Sequence, residues 1–381
     1  MHEYTDDIQH LTGLLQLRDD PTALRMKRML AMPDLTRKPD SPLHYMAEAV
    51  KNCATLQDGD EVIFPEIVEV THNFDLLGAK ADHPSRRPTD TFYIDPAHVL
   101  RTQTTVMWTY YLTDPPVVDK LRRRGSVLAY SYGKVYRNDE IDRHHYPVFH
   151  QIDGLCISRS SEKLFTTEDL TGILVDIAKA IFGEQVHYRV TDDTFPFTVS
   201  SLQLEILWKG EWIEVLGSGL VNPSVLTLLG LSPEEYNGGA FGFGIDRLAM
   251  IRMDIPDIRI LWSDDKRITR QFTGIESTYT AVSNYPPTAR DVSFIVSTDL
   301  ALNSFHELVR DCGYHENEDI IEEVVLLDRF VNDEKIGRGK VSYTFRIVYR
   351  SHLRTLTNEE INDVQENLRQ MIISVLGGQL R

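Results

Sequence analysis

Hydrophobic and polar positions divide the chain into segments with two clear periods. Across residues 166–182, Leu170, Ile173, Leu174, Ile177, Ile181 and Phe182 recur at three and four. That spacing predicts an amphipathic helix ended by Gly183. A second helix is expected from Ser41-Pro42 to about Cys53, with Leu43, Met46 and Val50 on its apolar side. A third is expected over residues 21–32. Period-two alternation marks strands at 62–70, around Pro65, and from about Val99 to Thr102, Gln103, Thr104 and Thr105. Leu202, Leu204, Ile206 and Trp208 alternate with Gln203 and Glu205, and Trp212 and Glu214 follow Lys209-Gly210. If those two residues form the turn, Glu205 lies opposite Glu214. Residues 133–156 begin and end as strand, at Val135-Tyr136 and 149–155, around the polar connection 137–145. A long hairpin with a charged tip is the natural reading.

From Arg290 onward the order is strand (292–296), helix (302–312), strand (320–330), strand (341–349), helix (358–376) and a short end. This is the βαββαβ split of a ferredoxin-like domain. Val341, Tyr343, Phe345, Ile347 and Tyr349 point inward, while Ser342, Thr344, Arg346 and Arg350 point outward. Thr357 and Glu360 supply a capping box for the last helix. Residues 277–285 read as the linker into this domain.

Composition narrows the class. A chain of 381 residues predicts two or three domains, and 42% hydrophobic residues suffice for a sizeable core. No apolar run approaches the ~20 residues of a membrane span. The acidic start MHEYTDDIQHLTGLLQLRDD has neither a secretory apolar core nor an Arg/Ser-rich transit character. A soluble protein is expected, in the mitochondrial matrix as a processed form or in the cytoplasm. Three distant cysteines, Cys53, Cys156 and Cys312, fit a reducing compartment and no metal cluster. The net charge of −17 argues against a nonspecific nucleic-acid coat. Residues 335–358 nonetheless hold six Lys/Arg and no acid. That patch suits RNA phosphates, with Tyr285, Phe294 or Tyr343 as stacking partners for bases; a solvated face reads the same way.

Two stretches carry candidate chemistry. Arg137 is the first polar residue after a strand end, placed to fork onto a phosphate or carboxylate. Phe149, Gln151 and Asp153 share one face of the returning strand, and His150 and Ile152 the other. An amide and a carboxylate beside an aromatic ring suit a small zwitterion, although a solvated hairpin would show the same residue types. Residues 237–250, NGGAFGFGIDRLAM, bring glycines 238, 239, 242 and 244 into a strand and Arg247 into the first turn of a helix. Such a strand lets a flat ligand approach the backbone closely, and two arginines can clamp a triphosphate from both ends. Glu205 facing Glu214 makes sense if a divalent cation joins them to ligand phosphates; solvent and salt would also relax the pair. No GxxxxGK[ST] sequence is present.

The same residues carry a family resemblance. VYRNDEIDRHHYPVFHQIDG and GGAFGFGIDRLAM resemble motifs 2 and 3 of class II aminoacyl-tRNA synthetases, nearest to the phenylalanyl family. NFDLLGAKADHPSRRPTDTFYI (73–94), VLRTQTT (99–105), FPFT (195–198), EWIEVLGSGLVNP (211–223) and IPDIRILW (255–262) follow in family order. The remaining chain is similar to that family's anticodon-binding module, as in its single-chain, organelle-type members. The resemblance implies an α+β fold: an antiparallel sheet flanked by helices, plus a C-terminal ferredoxin-like βαββαβ domain. It divides the chain into an extension (1–40), a catalytic domain (41–276), a linker (277–284) and an anticodon-binding domain (285–381). It implies ligation of L-phenylalanine to tRNA(Phe) with ATP and Mg2+, by a monomer, although helix and strand at 41–70 stand where class II enzymes usually dimerise.

By the same resemblance, Arg137, Asp139, His145, Phe149, Gly244 and Arg247 would bind ATP, with Arg137 and Arg247 catalytic. Gln103, Thr105, Gln151, Asp153, Phe195, Phe197, Ala240 and Gly242 would bind phenylalanine. Glu205 and Glu214 are the metal candidates, and Arg338, Lys340, Arg346, Arg350 and Arg354 the tRNA candidates. The basic run 120–124, expected after a helix, is either solvated surface or a further tRNA contact. Gln103, Thr105 and Asp153 stand where the family normally has His, Ser and Glu; all three keep hydrogen-bonding capacity. Two other readings stay open. A class II ligase for another amino acid, such as phosphoserine, is disfavoured by the aromatic pair. A non-catalytic tRNA-binding relative is disfavoured by the presence of both arginines.

Overall fold

An eight-stranded sheet organises the larger part of the molecule. In this computed structural model, all residues are described except 5–7, 141, 282–284, 316–317 and 352. The chain divides into two units, Met1–Arg137 with Val148–Ile255 and Gln271–Tyr279, and Asn138–Pro147 with Pro256–Arg270 and Thr280–Arg381. Residue 141 of the hairpin connection and 282–284 of the expected linker lie outside the described residues.

The sheet comprises β1 (His2–Glu3), β2 (Asp60–Ile63), β3 (Ser126–Tyr136), β4 (Val148–Arg159), β5 (Tyr188–Asp193), β6 (Thr198–Trp208), β7 (Glu211–Val221) and β8 (Tyr236–Gly244). Their order is β1-β2-β3-β4-β8-β7-β6-β5. All pairs are antiparallel except β1–β2 and β2–β3, so the expected antiparallel sheet carries a parallel edge. Helices α1 (Pro21–Ala31), α2 (Pro42–Lys51), α3 (Thr167–Phe182) and α4 (Ile245–Arg252) follow the periodicity. Ser41 caps α2 with Pro42 in its first turn, and Thr166 and Asp169 form a capping box on α3. α2, α3 and α4 pack together, with α3 on β6 and β7 and α4 on β4. The β3–β4 hairpin spans the polar connection, and β6–β7 turns at Lys209 and Gly210, both with positive φ, as a two-residue hairpin of this twist requires.

Three local expectations need correction. The strand expected at 62–70 is two strands. β2 ends before Pro65, which has no N–H for a ladder, and Ile67–Glu69 pairs instead with His98–Leu100 in a separate three-stranded sheet. The strand expected to end at Thr105 stops at Leu100, and Thr104–Val106 is a 3-10 turn. Consecutive strand residues face opposite ways, whereas both Thr104 and Thr105 bond the same carboxylate. Finally, the basic run does not follow a helix but forms the last turn of Pro115–Arg124, where cations offset the helix dipole.

The second unit contains β9 (Thr288–Ser297), α5 (Leu302–Gly313), β10 (Ile321–Phe330), β11 (Lys340–Tyr349), α6 (Asn358–Ser374) and β12 (Gln379–Leu380). Strand order β10-β11-β9-β12 is that of the expected ferredoxin-like domain. The Thr357–Glu360 capping box is present. Val341, Tyr343, Phe345, Ile347 and Tyr349 enter one core with Phe294 and Phe305. Phe294 (0% exposed) and Tyr343 (6%) are therefore removed as base-stacking candidates: their rings are consumed by packing. The loop 138–147 belongs to this unit, with Arg310 and Asn303 of α5 donating to Asn138 at 3.0 and 2.9 Å.

Candidate active site

Register decides which side chains share the open face of the first unit's sheet. β4 pairs β8 with Gln151 opposite Gly244, Asp153 opposite Gly242 and Leu155 opposite Ala240. β8 pairs β7 with Gly242 opposite Gly217. Directly opposed residues point to one face, so Phe149, Gln151, Asp153, Gly244, Gly242, Ala240 and Gly217 line a common surface. Glycine is required at two of these positions. A methyl on Gly242 would stand 2.7 Å from Asp153 Oδ1, and one on Gly217 would stand 2.8 Å from Phe195 Cζ. The missing side chains thus make room for a carboxylate and for an aromatic ring.

Asp153 is the electrostatic centre of this face. It is 5% exposed, and the hydroxyls of Thr104 and Thr105 donate to Oδ2 and Oδ1 at 2.5 and 2.6 Å. Thr104 N–H also donates to Gln151 Oε1 at 3.3 Å. Burial pushes the carboxyl up to about 6, against the opposing pull of Thr104, Thr105 and the Arg137 charge. A desolvated carboxylate with an amide oxygen beside it is a receptor for an ammonium group. Gln103, between Thr102 and Thr104, is half-buried and makes no side-chain hydrogen bond among the described residues. Thr104 was missed as a site residue because a strand would have turned it away.

Aromatic rings and cations of the same unit lie beside these residues. Phe195 and Phe197 lie nearly parallel (9°) with ring centroids 6.4 Å apart, and Trp108 meets Phe197 edge-to-face with centroids 5.6 Å apart. Ala240 is buried in the apolar cluster that contains Trp108 and Leu155. Arg137 donates from Nε to Thr102 O at 3.0 Å, and its guanidinium carbon lies 5.1 Å from the Phe149 ring centroid. Arg247 is exposed on the first turn of α4 and has no hydrogen bond or ion pair among the described residues. Asp139 and His145 fall in the second unit, where His145 bonds Asp142 at 2.7 Å.

The two metal candidates do face each other, Glu205 on β6 opposite Glu214 on β7. Arg189 on β5, a strand the sequence did not announce, ion-pairs with Glu205 and relieves part of the repulsion. Glu214 is exposed and carries no partner among the described residues. No group of three or more His, Cys, Asp or Glu is placed to hold a metal among the described residues. The pair fits a hydrated cation that brings its remaining ligands on phosphates, the habit of magnesium.

In the second unit, the basic patch is partly neutralised. Arg346 forms a two-point pair with Asp291 at 2.8 and 2.9 Å, Arg350 bonds Glu322 at 2.7 Å, and Arg354 meets Glu360 at 2.6 Å. Arg338 and Lys340 are exposed and carry no ion pair among the described residues. The acids lie outside the 335–358 window, so their neutralising effect was invisible there.

A glycine-faced antiparallel sheet joined to a ferredoxin-like unit agrees with the comparisons. Residues 29–272 match the class II tRNA synthetase core domain (F), and residues 283–381 the ferredoxin-fold anticodon binding domain. The chain is a class II tRNA synthetase. It is 40% identical over 327 residues to the chloroplastic/mitochondrial phenylalanine–tRNA ligase of Arabidopsis thaliana, covering 83% of this chain and 71% of that protein. It is 34% identical over 350 residues to the mitochondrial enzyme of Mus musculus (82% and 73%), and 30% over 398 residues to that of Saccharomyces cerevisiae (84% and 82%). Within the class, the chain belongs to the phenylalanine–tRNA ligase family. No described helix is long and apolar enough to cross a membrane.

Proposed function

We propose that the chain ligates L-phenylalanine to tRNA(Phe) through a phenylalanyl-adenylate. The observation that carries this reading is the buried Asp153 carboxylate, held by Thr104 and Thr105 beside Gln151, on the face that Phe195 and Phe197 border. Asp153 and Gln151 grip the substrate ammonium, and the parallel rings flank its side chain over Ala240. The substrate carboxylate attacks the α-phosphorus of ATP, the bond to the β-phosphate oxygen breaks, and pyrophosphate leaves. A ribose hydroxyl at the tRNA terminus then attacks the acyl carbon and AMP leaves. The enzyme supplies no covalent nucleophile, so rate comes from positioning and charge neutralisation.

Arg137 holds the α-phosphate and the amino-acid carboxylate, and Arg247 the γ-phosphate. Phe149 stacks on adenine beside Gly244. Asp139 and His145 enter as ATP contacts by motif resemblance alone. Glu205 and Glu214 would hold magnesium, and the ion would supply charge neutralisation at the phosphates when bound. Arg338 and Lys340 are the members of the basic patch best able to meet tRNA phosphates. The compartment is an organelle matrix and the working form a monomer. Charging of a tRNA(Phe) transcript with radiolabelled phenylalanine, dependent on ATP, tests the function directly. Adenylate formation without transfer would restrict the reading to activation.

A further inference from the structure

The sheet's opposite face carries a buried polar chain that the chemistry above does not use. His150 (0% exposed) lies on β4 between Phe149 and Gln151 but points away from the substrate face. Leu35 N–H donates to its Nε2 at 3.1 Å, so Nδ1 carries the proton and donates to Asp246 Oδ1 at 3.2 Å. The other oxygen of Asp246 accepts His150 backbone N–H at 2.5 Å. The position is telling. β8 ends opposite Gln151, so the next β4 amide has no strand partner, and Asp246 in the first turn of α4 takes it. α4 has no side-chain N-cap bond of its own, and Arg247 is the residue after Asp246.

The N-terminal extension completes the arrangement. Lys134, directly opposite His150 on β3 and 3% exposed, donates to Leu30 O at 3.1 Å and Met32 O at 2.7 Å. Asp34 fixes the turn that presents Leu35 by accepting Thr36 N–H at 2.9 Å, and its Oδ1 lies 3.8 Å from His150 Nε2. Residues 30–36 thus lie against β3 and β4 through two adjacent side chains.

We propose that His150 and Asp246 are positioning residues that aim Arg247, and that residues 30–36 are the brace that fixes the His150 imidazole. The inference rests on the reading of Arg247 as the γ-phosphate ligand. β4 is held in register on both sides, so Gln151 and Asp153 keep their places without the pair; α4 does not keep its first turn. Loss of the pair therefore acts on ATP more than on phenylalanine.

The test is steady-state ATP–pyrophosphate exchange with the full chain, varying each substrate separately. His150→Leu is expected to raise the KM for ATP about tenfold while the KM for phenylalanine stays within about twofold. His150→Gln, whose amide offers both an acceptor and a donor, is expected to return the ATP value toward wild type. Asp34→Ala, at the partly exposed end of the brace, should raise it about twofold to threefold without loss of folding. Equal rises in both KM values, or Leu and Gln variants that cannot be distinguished, would overturn the inference. Wild-type protein that gives no phenylalanine-dependent exchange defeats the functional reading itself, an outcome separable from the first two.

Discussion

Burial of the Asp153 carboxyl carries a stability cost that changes with pH. Its folded value near 6 lies above the ordinary 3.8, so between those values the folded chain holds a proton that the unfolded chain has lost. Stability therefore falls as pH rises through that window, and above it the cost of keeping the ionised group buried is on the order of 3 kcal/mol. Asp153→Asn is expected to raise the melting temperature by several degrees at pH 7.5 while abolishing phenylalanine activation; an unchanged melting temperature would remove the cost inferred here. Ammonium binding needs the ionised form, so the KM for phenylalanine should climb as pH falls below about 6. Arg137→Ala and Arg247→Ala should each cut exchange by about a thousandfold. Residue types and order made Arg137, Gln151, Asp153 and Arg247 candidates from sequence, and the strand register sets Gln151 and Asp153 on one face. Thr104 was not, because its role depends on a 3-10 turn that local alternation disguised as strand.

At the scale of elements, the glycine strand and its partners set the shape of the pocket. Gly217→Ala should push the Phe195 ring and raise the KM for phenylalanine severalfold, leaving that for ATP unchanged; substrate-by-substrate exchange kinetics read this directly. The hairpin at β3–β4, the helix α3 and the Glu205–Glu214 register were all readable, because each follows from strict periodicity or a two-residue turn. The break at Pro65 was only half legible: a proline is confined to strand ends and edges, but only the tertiary fold sends the two halves to different sheets. β5 was missed, and with it Arg189. Its residues 188–193 expose three side chains of mixed character, Tyr188, Arg189 and Asp192, and bury none fully, so no apolar face announces the strand.

At the scale of the whole molecule, the strand and helix order of the ferredoxin-like part was legible, whereas the grouping of residues 138–147 and 256–270 with it was not, because those segments are distant from it in sequence. Six basic residues in one window suggested a patch, yet Asp291, Glu322 and Glu360 pair with three of them from elsewhere in the chain. Arg338→Ala with Lys340→Ala is therefore expected to weaken tRNA charging and make it less salt-dependent, by about one unit of slope per lost phosphate contact, with pyrophosphate exchange unaltered. The amino acid that this face accepts is decided by ATP–pyrophosphate exchange across phenylalanine, tyrosine and phosphoserine. Exchange should be dominated by phenylalanine, with Gln103, Thr105 and Asp153 as tolerated variants of the family pattern. Preference for another amino acid, or no exchange with any of them, would contradict this expectation.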